Sequence, residues 1–227
     1  RLYADLSAWL DRPIGRLSRP IWPESRLAMA LHGTPIADFI NRVQLSASGA
    51  QVSCTSLGND VRGFDSAVTV RDVVASYVFS NTLAVLEVTG AVLRQALEQC
   101  ATYFAVTEDG RVEIAEPFVK PKQAHYNYDY FSGVQYRFDL RRPVGSRVTA
   151  LTRDGRPVDG GDRLTLAMNN YRATGAGGFD FYTRCRRVGE IQTEVSELIL
   201  DYLGAHDVIG IPDGRPYAVV LPDGREA

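Results

Sequence analysis

The stretch "RLTLAMNNYRATGAGGFDF", Arg163 to Phe181, decides how this chain is read. Its opening "RLTLAM" has the apolar, β-rich character of a strand. The remainder packs two amides, a tyrosine, an arginine, three glycines in four positions and two phenylalanines into one short segment. A loop leaving a strand end is a common place for ligand-binding residues. Glycines such as Gly175 let the backbone approach a ligand closely and adopt positive φ. Tyr171 offers a flat π-face for stacking, and the amides of Asn169 and Asn170 can pair with the donor and acceptor edges of a heterocycle. From composition alone two readings stand: a ligand-binding loop, or a glycine turn with a core tyrosine. The "GAGG" of Gly175 to Gly178 lacks the Lys-Ser/Thr of a phosphate-cradling P-loop.

Working outward, the rest of the chain supplies mixed elements. "LYADLSAWL" (Leu2 to Leu10) has apolar residues at helical spacing and stops before Pro13. A Pro- and Arg-rich loop is expected from Asp11 to Ser25. Thr34 and Pro35 make an N-cap and first-turn pair, and Ile36, Phe39, Ile40 and Val43 form an apolar stripe, predicting a helix to about Leu45. Strands are expected over Ala50–Ser56 and Thr82–Thr89. Thr89 can then cap a helix running through "AVLRQALEQCATYF". After Lys120 the pattern turns β-like, and Asp154-Gly155 is a two-residue hairpin signal. "TEVSELILDYL" (Thr193 to Leu203) reads as an amphipathic helix ended by Gly204, and "PYAVVL" as a last strand. Without regular βαβ alternation, this favours a single α+β domain with a mixed β-sheet packed by helices.

Bulk properties exclude several function classes. Apolar residues make up 45% and charged residues 23% of the 227, which argues against disorder. The formal net charge of −2 gives no general attraction for nucleic acid or an anionic membrane, so any phosphate binding must be local. No apolar run approaches membrane-spanning length. Cys54, Cys100 and Cys185 have no metal-ligand spacing and read as buried small hydrophobes, with at most one disulfide. His32, His125 and His206 are scattered, outside any HxH or HExxH pattern, and no GxSxG elbow is present. The chain therefore does not read as a self-sufficient enzyme. Arg1 is no initiator methionine, and the opening segment looks cut from something longer.

Two further stretches share the character of the glycine loop. "YVFSNTLAVLEVTG" (Tyr77 to Gly90) places Phe79 in a loop before a strand, and "YNYDYFSGVQYRFDL" (Tyr126 to Leu140) is dense in aromatics around Ser132-Gly133. Together with "GRPVDGGDRLTLAMNNYRATGAGGF" and the closing helix, they resemble, in this order and spacing, the C-terminal domain of the 5′-nucleotidase family. The nearest branch is that of the 2′,3′-cyclic-nucleotide 2′-phosphodiesterase/3′-nucleotidases. The resemblance covers the chain from about Pro13 to Tyr202, and "NNYRATGAGGF" is its most specific piece.

The resemblance implies a role for each matching residue. Two aromatics clamp the nucleobase in that family, at positions that here are Phe79 and Tyr171. Asn170 would sit near the base or hold the loop, and Ser132 and Gly133 match small residues where the backbone approaches the ligand. "SLGNDVRGF" (Ser56 to Phe64) takes the place of a glycine-rich family loop, so Arg62 would meet phosphate through its bidentate fork and Asn59 is a further polar candidate. The family's ribose-binding aspartate is replaced by Gly177, with Asp180 three residues on. Arg172 is either a structural anchor for the loop or a ligand contact. The chain would then be the nucleotide-binding specificity domain, residues 13–227, of a nucleotide hydrolase. Residues 1–12 would end a linker helix, and two divalent metal ions would be held by a separate N-terminal metallophosphoesterase domain. This chain would hold no cofactor, bind nucleotides or nucleosides with purines somewhat favoured, and act in the periplasm, at the cell surface or after secretion. Two rivals are a free-standing nucleoside-binding module and an enzyme using Asp129, His125 or His206.

Overall fold

The computed structural model describes residues 2–227; Arg1, the first residue of the expected linker helix, lies outside them. In chain order the elements are α1 (Leu2–Leu10), β1 (Pro13–Arg16), α2 (Arg26–His32), α3 (Pro35–Ser48), β2 (Val52–Ser56), β3 (Ala67–Thr69), α4 (Val70–Ser76), β4 (Thr82–Thr89) and α5 (Gly90–Ala101). Then come β5 (Phe104–Val106), β6 (Val112–Ile114), β7 (Asp129–Ser132), β8 (Gln135–Asp139), β9 (Val148–Arg153), β10 (Arg156–Pro157), β11 (Arg163–Asn169), α6 (Asn170–Ala173), β12 (Arg186–Glu194), α7 (Val195–Gly204) and β13 (Tyr217–Val220). The main sheet has the strand order β12-β4-β11-β2-β7, and a second sheet has β10-β9-β8-β13. β11 runs parallel to β2 and β13 parallel to β8; the other pairs in these two sheets are antiparallel. The expected α+β domain with mixed sheet is what forms.

Local signals explain most of these elements. Thr34 Oγ1 accepts from Ile36 N at 3.3 Å, and Gly49 ends α3 in the left-handed region with its N–H donating to Leu45 O. Ile36, Phe39, Ile40 and Val43 are buried, as the stripe requires. Asn41 and Gln44 on the same helix are buried as well, and their amide nitrogens donate into the sheet beneath, while Gln44 Oε1 finds no partner among the described residues. Asn41 Nδ2 donates to Tyr130 O at 2.9 Å, while Gln44 Nε2 donates to Ser53 Oγ at 2.7 Å and to Cys54 O at 3.0 Å. This polar seam ties α3 to β2 and β7, which an apolar stripe alone would leave free to slide. At the hairpin, Asp154 and Gly155 both have positive φ and bring Arg156 opposite Arg153.

Some expectations shift. The α5 helix ends at Ala101, because Phe104 turns into the small β5–β6 hairpin, and α7 starts at Val195, because Thr193 and Glu194 still belong to β12. The expected loop from Asp11 to Ser25 contains β1, paired with β3. Cys54 and Cys100 are buried, Cys185 is partly buried, and all three thiols are free.

The two sheets are joined through α5. Glu98 accepts from Arg147 N at 2.9 Å and Val148 N at 2.7 Å, and Arg147 Nη1 donates back to Ala101 O at 2.8 Å and Phe104 O at 2.7 Å. A carboxylate holding two backbone N–H groups is worth more than a neutral pair. Glu98→Ala is therefore expected to lower stability by about 2–4 kcal/mol. In urea unfolding this would appear as a lower midpoint with unchanged slope.

Candidate functional site

The register of the main sheet decides which residues meet. Asn169, at the C-terminal end of β11, pairs with Leu83 near the start of β4, so the loop before β4 lies beside the loop after β11. β2 runs parallel to β11 with Ser53 opposite Ala167, which carries Ser56 to the same end of the sheet. Ser56 in turn pairs with Asp129 at the start of β7, and Tyr126 lies just before it. Four strand ends thus converge, and a pocket of about 230 Å³ opens there, lined by Ser56, Phe79, Asn81, Tyr126, Asn169 and Tyr171. Phe79 is half-buried and packs edge-on to buried Tyr77 at 6.0 Å, whereas Tyr171 is 48% exposed.

The loop carrying Tyr171 is fixed by its neighbour. Arg172, 1% exposed, donates from Nε to Asp129 Oδ2 at 2.8 Å and from Nη2 to Asp129 Oδ1 at 3.0 Å. Nη2 also donates to Tyr126 O at 2.9 Å, and Nη1 to Ala176 O. Its guanidinium carbon lies 4.3 Å from the centre of the Phe179 ring. Burial pulls the guanidinium's pKa down, but the Asp129 charge and hydrogen bonds outweigh it and raise the pKa above the ordinary arginine value. Arg172 is thus a structural anchor, and its side chain is not among those lining the pocket. Asn169 completes the device: its Oδ1 accepts from Arg172 N at 2.7 Å and caps the four-residue α6.

The anchor also accounts for Gly177. A Cβ there would strike Arg172 Nη1 and Asn127 Oδ1, and its φ is +77°. Space that a side chain would need is filled by the guanidinium. Asp180 is exposed at the start of a short 3₁₀ turn, where its carbonyl accepts from Thr183 Oγ1, and it does not line the pocket. Gly175 is buried in the loop, accepting from Phe179 N at 3.1 Å. Asn170 is partly buried and does not line the pocket, and its buried Oδ1 finds no partner among the described residues.

Other expected site residues lie elsewhere. Ser132 and Gly133 sit at the opposite end of β7, beside Ser53, and line a separate depression with Asp38, Arg42 and Pro212. Gly133 has φ +89°, and a Cβ there would run into the Gln51 carbonyl, so close strand packing accounts for this glycine. Asn59 Nδ2 donates to Gln123 O at 3.0 Å, which holds the Ser56–Phe64 loop, and Arg62 is exposed on that loop outside the pocket lining. Arg26 of α2 adds to this hold by donating to the carbonyls of Gly58 and Asn59. The residues that sequence reading passed over are Ser56, Asn81, Tyr126 and Arg26; Asp129 entered it only as a catalytic residue of the rival enzyme. All but Arg26 lie in quoted motifs, yet only strand register identifies them.

The remaining titratable groups do not gather. His125 Nδ1 and Tyr103 OH are 2.7 Å apart in the interior, with the His125 pKa lowered by burial and then by the Arg26 charge. His206 Nδ1 is 2.7 Å from Tyr202 O at the end of α7, and Asp129 is engaged by Arg172. Among the described residues no three His, Cys, Asp or Glu side chains converge as metal ligands, and no helix is long and apolar enough to cross a membrane.

The family described as 5′-nucleotidase, C-terminal domain matches residues 13–184. A Staphylococcus aureus structure described as a 5′-nucleotidase in complex with α-ketoglutarate superposes over 96% of this chain and 42% of its own, at TM-score 0.89 and 37% identity. A 5′-nucleotidase precursor from Thermus thermophilus shares the fold at TM-score 0.75 and 22% identity, over 96% of this chain and 41% of its own. A 2′,3′-cyclic-nucleotide 2′-phosphodiesterase/3′-nucleotidase of Haemophilus influenzae is 27% identical over 208 residues, covering 74% of this chain and 30% of that protein. The chain therefore spans less than half the length of each of these relatives.

Breaking the anchor from the carboxylate side leaves a buried guanidinium without its counter-charge. Asp129→Ala is expected to cost about 3–5 kcal/mol, read by chemical denaturation.

Proposed function

The chain belongs to the family of 5′-nucleotidase C-terminal domains, and we propose that it binds the nucleoside part of a nucleotide and presents its phosphate to a separate catalytic domain. The family is that of substrate-binding domains of nucleotide hydrolases. The observation that carries the reading is the pocket that Phe79 and Tyr171, from neighbouring strand ends, line together with the polar groups of Ser56, Asn81 and Asn169. Aromatic faces hold any base by stacking, and a purine offers the larger face. Amides and a hydroxyl then fix its orientation.

In this reading the domain's contribution to hydrolysis is positioning. Residues 13–227 form the specificity domain and residues 1–12 end the helix that joins it to the rest. Two divalent ions in a metallophosphoesterase domain would supply the Lewis acid and the activated water. The substrate would be a 2′,3′-cyclic, 3′- or 5′-nucleotide met outside the cytoplasm. Arg62, exposed on the Ser56–Phe64 loop that begins at the pocket residue Ser56, is the candidate for the phosphate. The names of the phosphodiesterase/3′-nucleotidase relatives support this substrate class.

Calorimetric titration with adenosine and 3′-AMP tests the proposal. The wild type is expected to bind both and, on its own, to hydrolyse neither 3′-AMP nor a 2′,3′-cyclic nucleotide. Tyr171→Ala removes a stacking face worth roughly 1–3 kcal/mol, so both dissociation constants should rise about 5- to 150-fold. Folded wild type that binds neither ligand would overturn the reading.

A further inference from the structure

Beneath the pocket lies a group that neither stacking nor the loop anchor uses. Tyr77 is 3% exposed, and its buried hydroxyl finds no hydrogen-bond partner among the described residues. Leaving such a group unpaired in the interior is costly, and native structures seldom do so without a reason. Its ring meets the edge of Phe79 at 6.0 Å, directly behind the pocket wall. Burial pushes its pKa up, while the side-chain amides of Asn81 and Asn169 act in the opposite direction. Both amides line the pocket. They lie close enough to influence the phenol but outside hydrogen-bond geometry with it.

Donor and acceptor rules give this cluster a polarity. Arg172 N–H can only donate, and it donates to Asn169 Oδ1, so the orientation of that amide is fixed and its Nδ2 is left as a donor. A hydroxyl can accept and donate at once. Asn169 Nδ2 can therefore donate to the Tyr77 oxygen, and the Tyr77 O–H to Asn81 Oδ1. Asn81 is then held with its Nδ2 toward the pocket.

Resting on the nucleobase reading above, we propose that Tyr77 is a positioning residue whose hydroxyl links Asn169 to Asn81 and so sets Asn81 as a hydrogen-bond donor toward a ring-nitrogen acceptor of a bound purine. Ligand binding closes the relay, and the unpaired hydroxyl is its open state. The site then selects for heterocycles that present an acceptor at one edge, beyond the edge-blind attraction of stacking.

The test is calorimetric titration of wild type and Tyr77→Phe with adenosine and its 1-deaza, 3-deaza and 7-deaza analogues, each lacking one ring nitrogen. In wild type one analogue should bind about tenfold more weakly than adenosine. In Tyr77→Phe adenosine should weaken by a similar factor and the four ligands should bind alike. Unliganded Tyr77→Phe should melt no lower than wild type, because it loses a hydroxyl that has no partner. If Tyr77→Phe fails to fold, Asn81→Asp gives the same reading from a half-exposed position: replacing the donor with an acceptor should weaken adenosine and erase the analogue difference. Equal binding of all four ligands by wild type, or an undiminished difference in the folded variant, would overturn the relay while leaving the stacking pocket intact. Wild type that binds none of them would overturn the nucleobase reading and the relay together.

Discussion

The buried pair of Arg172 and Asp129 is the constraint on which the pocket end of this domain depends. Desolvating two charges is expensive, and such a pair persists only where the remaining donors are also satisfied. Here each guanidinium nitrogen finds a partner: one side chain holds the carboxylate at the start of β7, the Tyr126 carbonyl before it and the Ala176 carbonyl in the glycine loop. The backbone N–H of the same residue is held by Asn169. A four-residue helix has little stability of its own. Tied at both its cap and its buried arginine, α6 becomes a fixed mount for an exposed aromatic ring.

That mount explains why the loop needs so much missing side chain. Gly177 leaves room for the Arg172 fork, and Gly175 lets the chain fold back toward Phe179, whose ring lies against the guanidinium. The glycines thus serve the anchor, and the anchor serves the pocket. A side chain at Gly177 and the present Arg172 are sterically exclusive, which gives a physical reason for a glycine at this position.

Away from the pocket, polar groups lock the architecture in place. The Asn41–Gln44–Ser53 seam fixes α3 on the main sheet, and Glu98 with Arg147 fixes the second sheet on α5. Apolar burial drives collapse, but it tolerates sliding; directional bonds at these few positions select one arrangement. The pocket inherits its geometry from that rigid frame, since its lining comes from the ends of several strands and not from one motif.

By itself the sequence determined several of the longer elements and brought the two aromatics to notice. Thr34-Pro35, Asp154-Gly155 and the apolar stripes act within a few residues of themselves, so caps, turns and periodicity are legible locally. The motif order also pointed to Phe79 and Tyr171, and both line the pocket. Only the tertiary structure decided which residues share that pocket. Ser56, Asn81 and Tyr126 are separated from Tyr171 by tens of residues and meet it through strand register. The same register carries Ser132 and Gly133 to the far end of β7. It also decided the role of Arg172, because a guanidinium's partner depends on what burial places beside it. Register and burial are properties of the whole packed chain, and no short stretch encodes them.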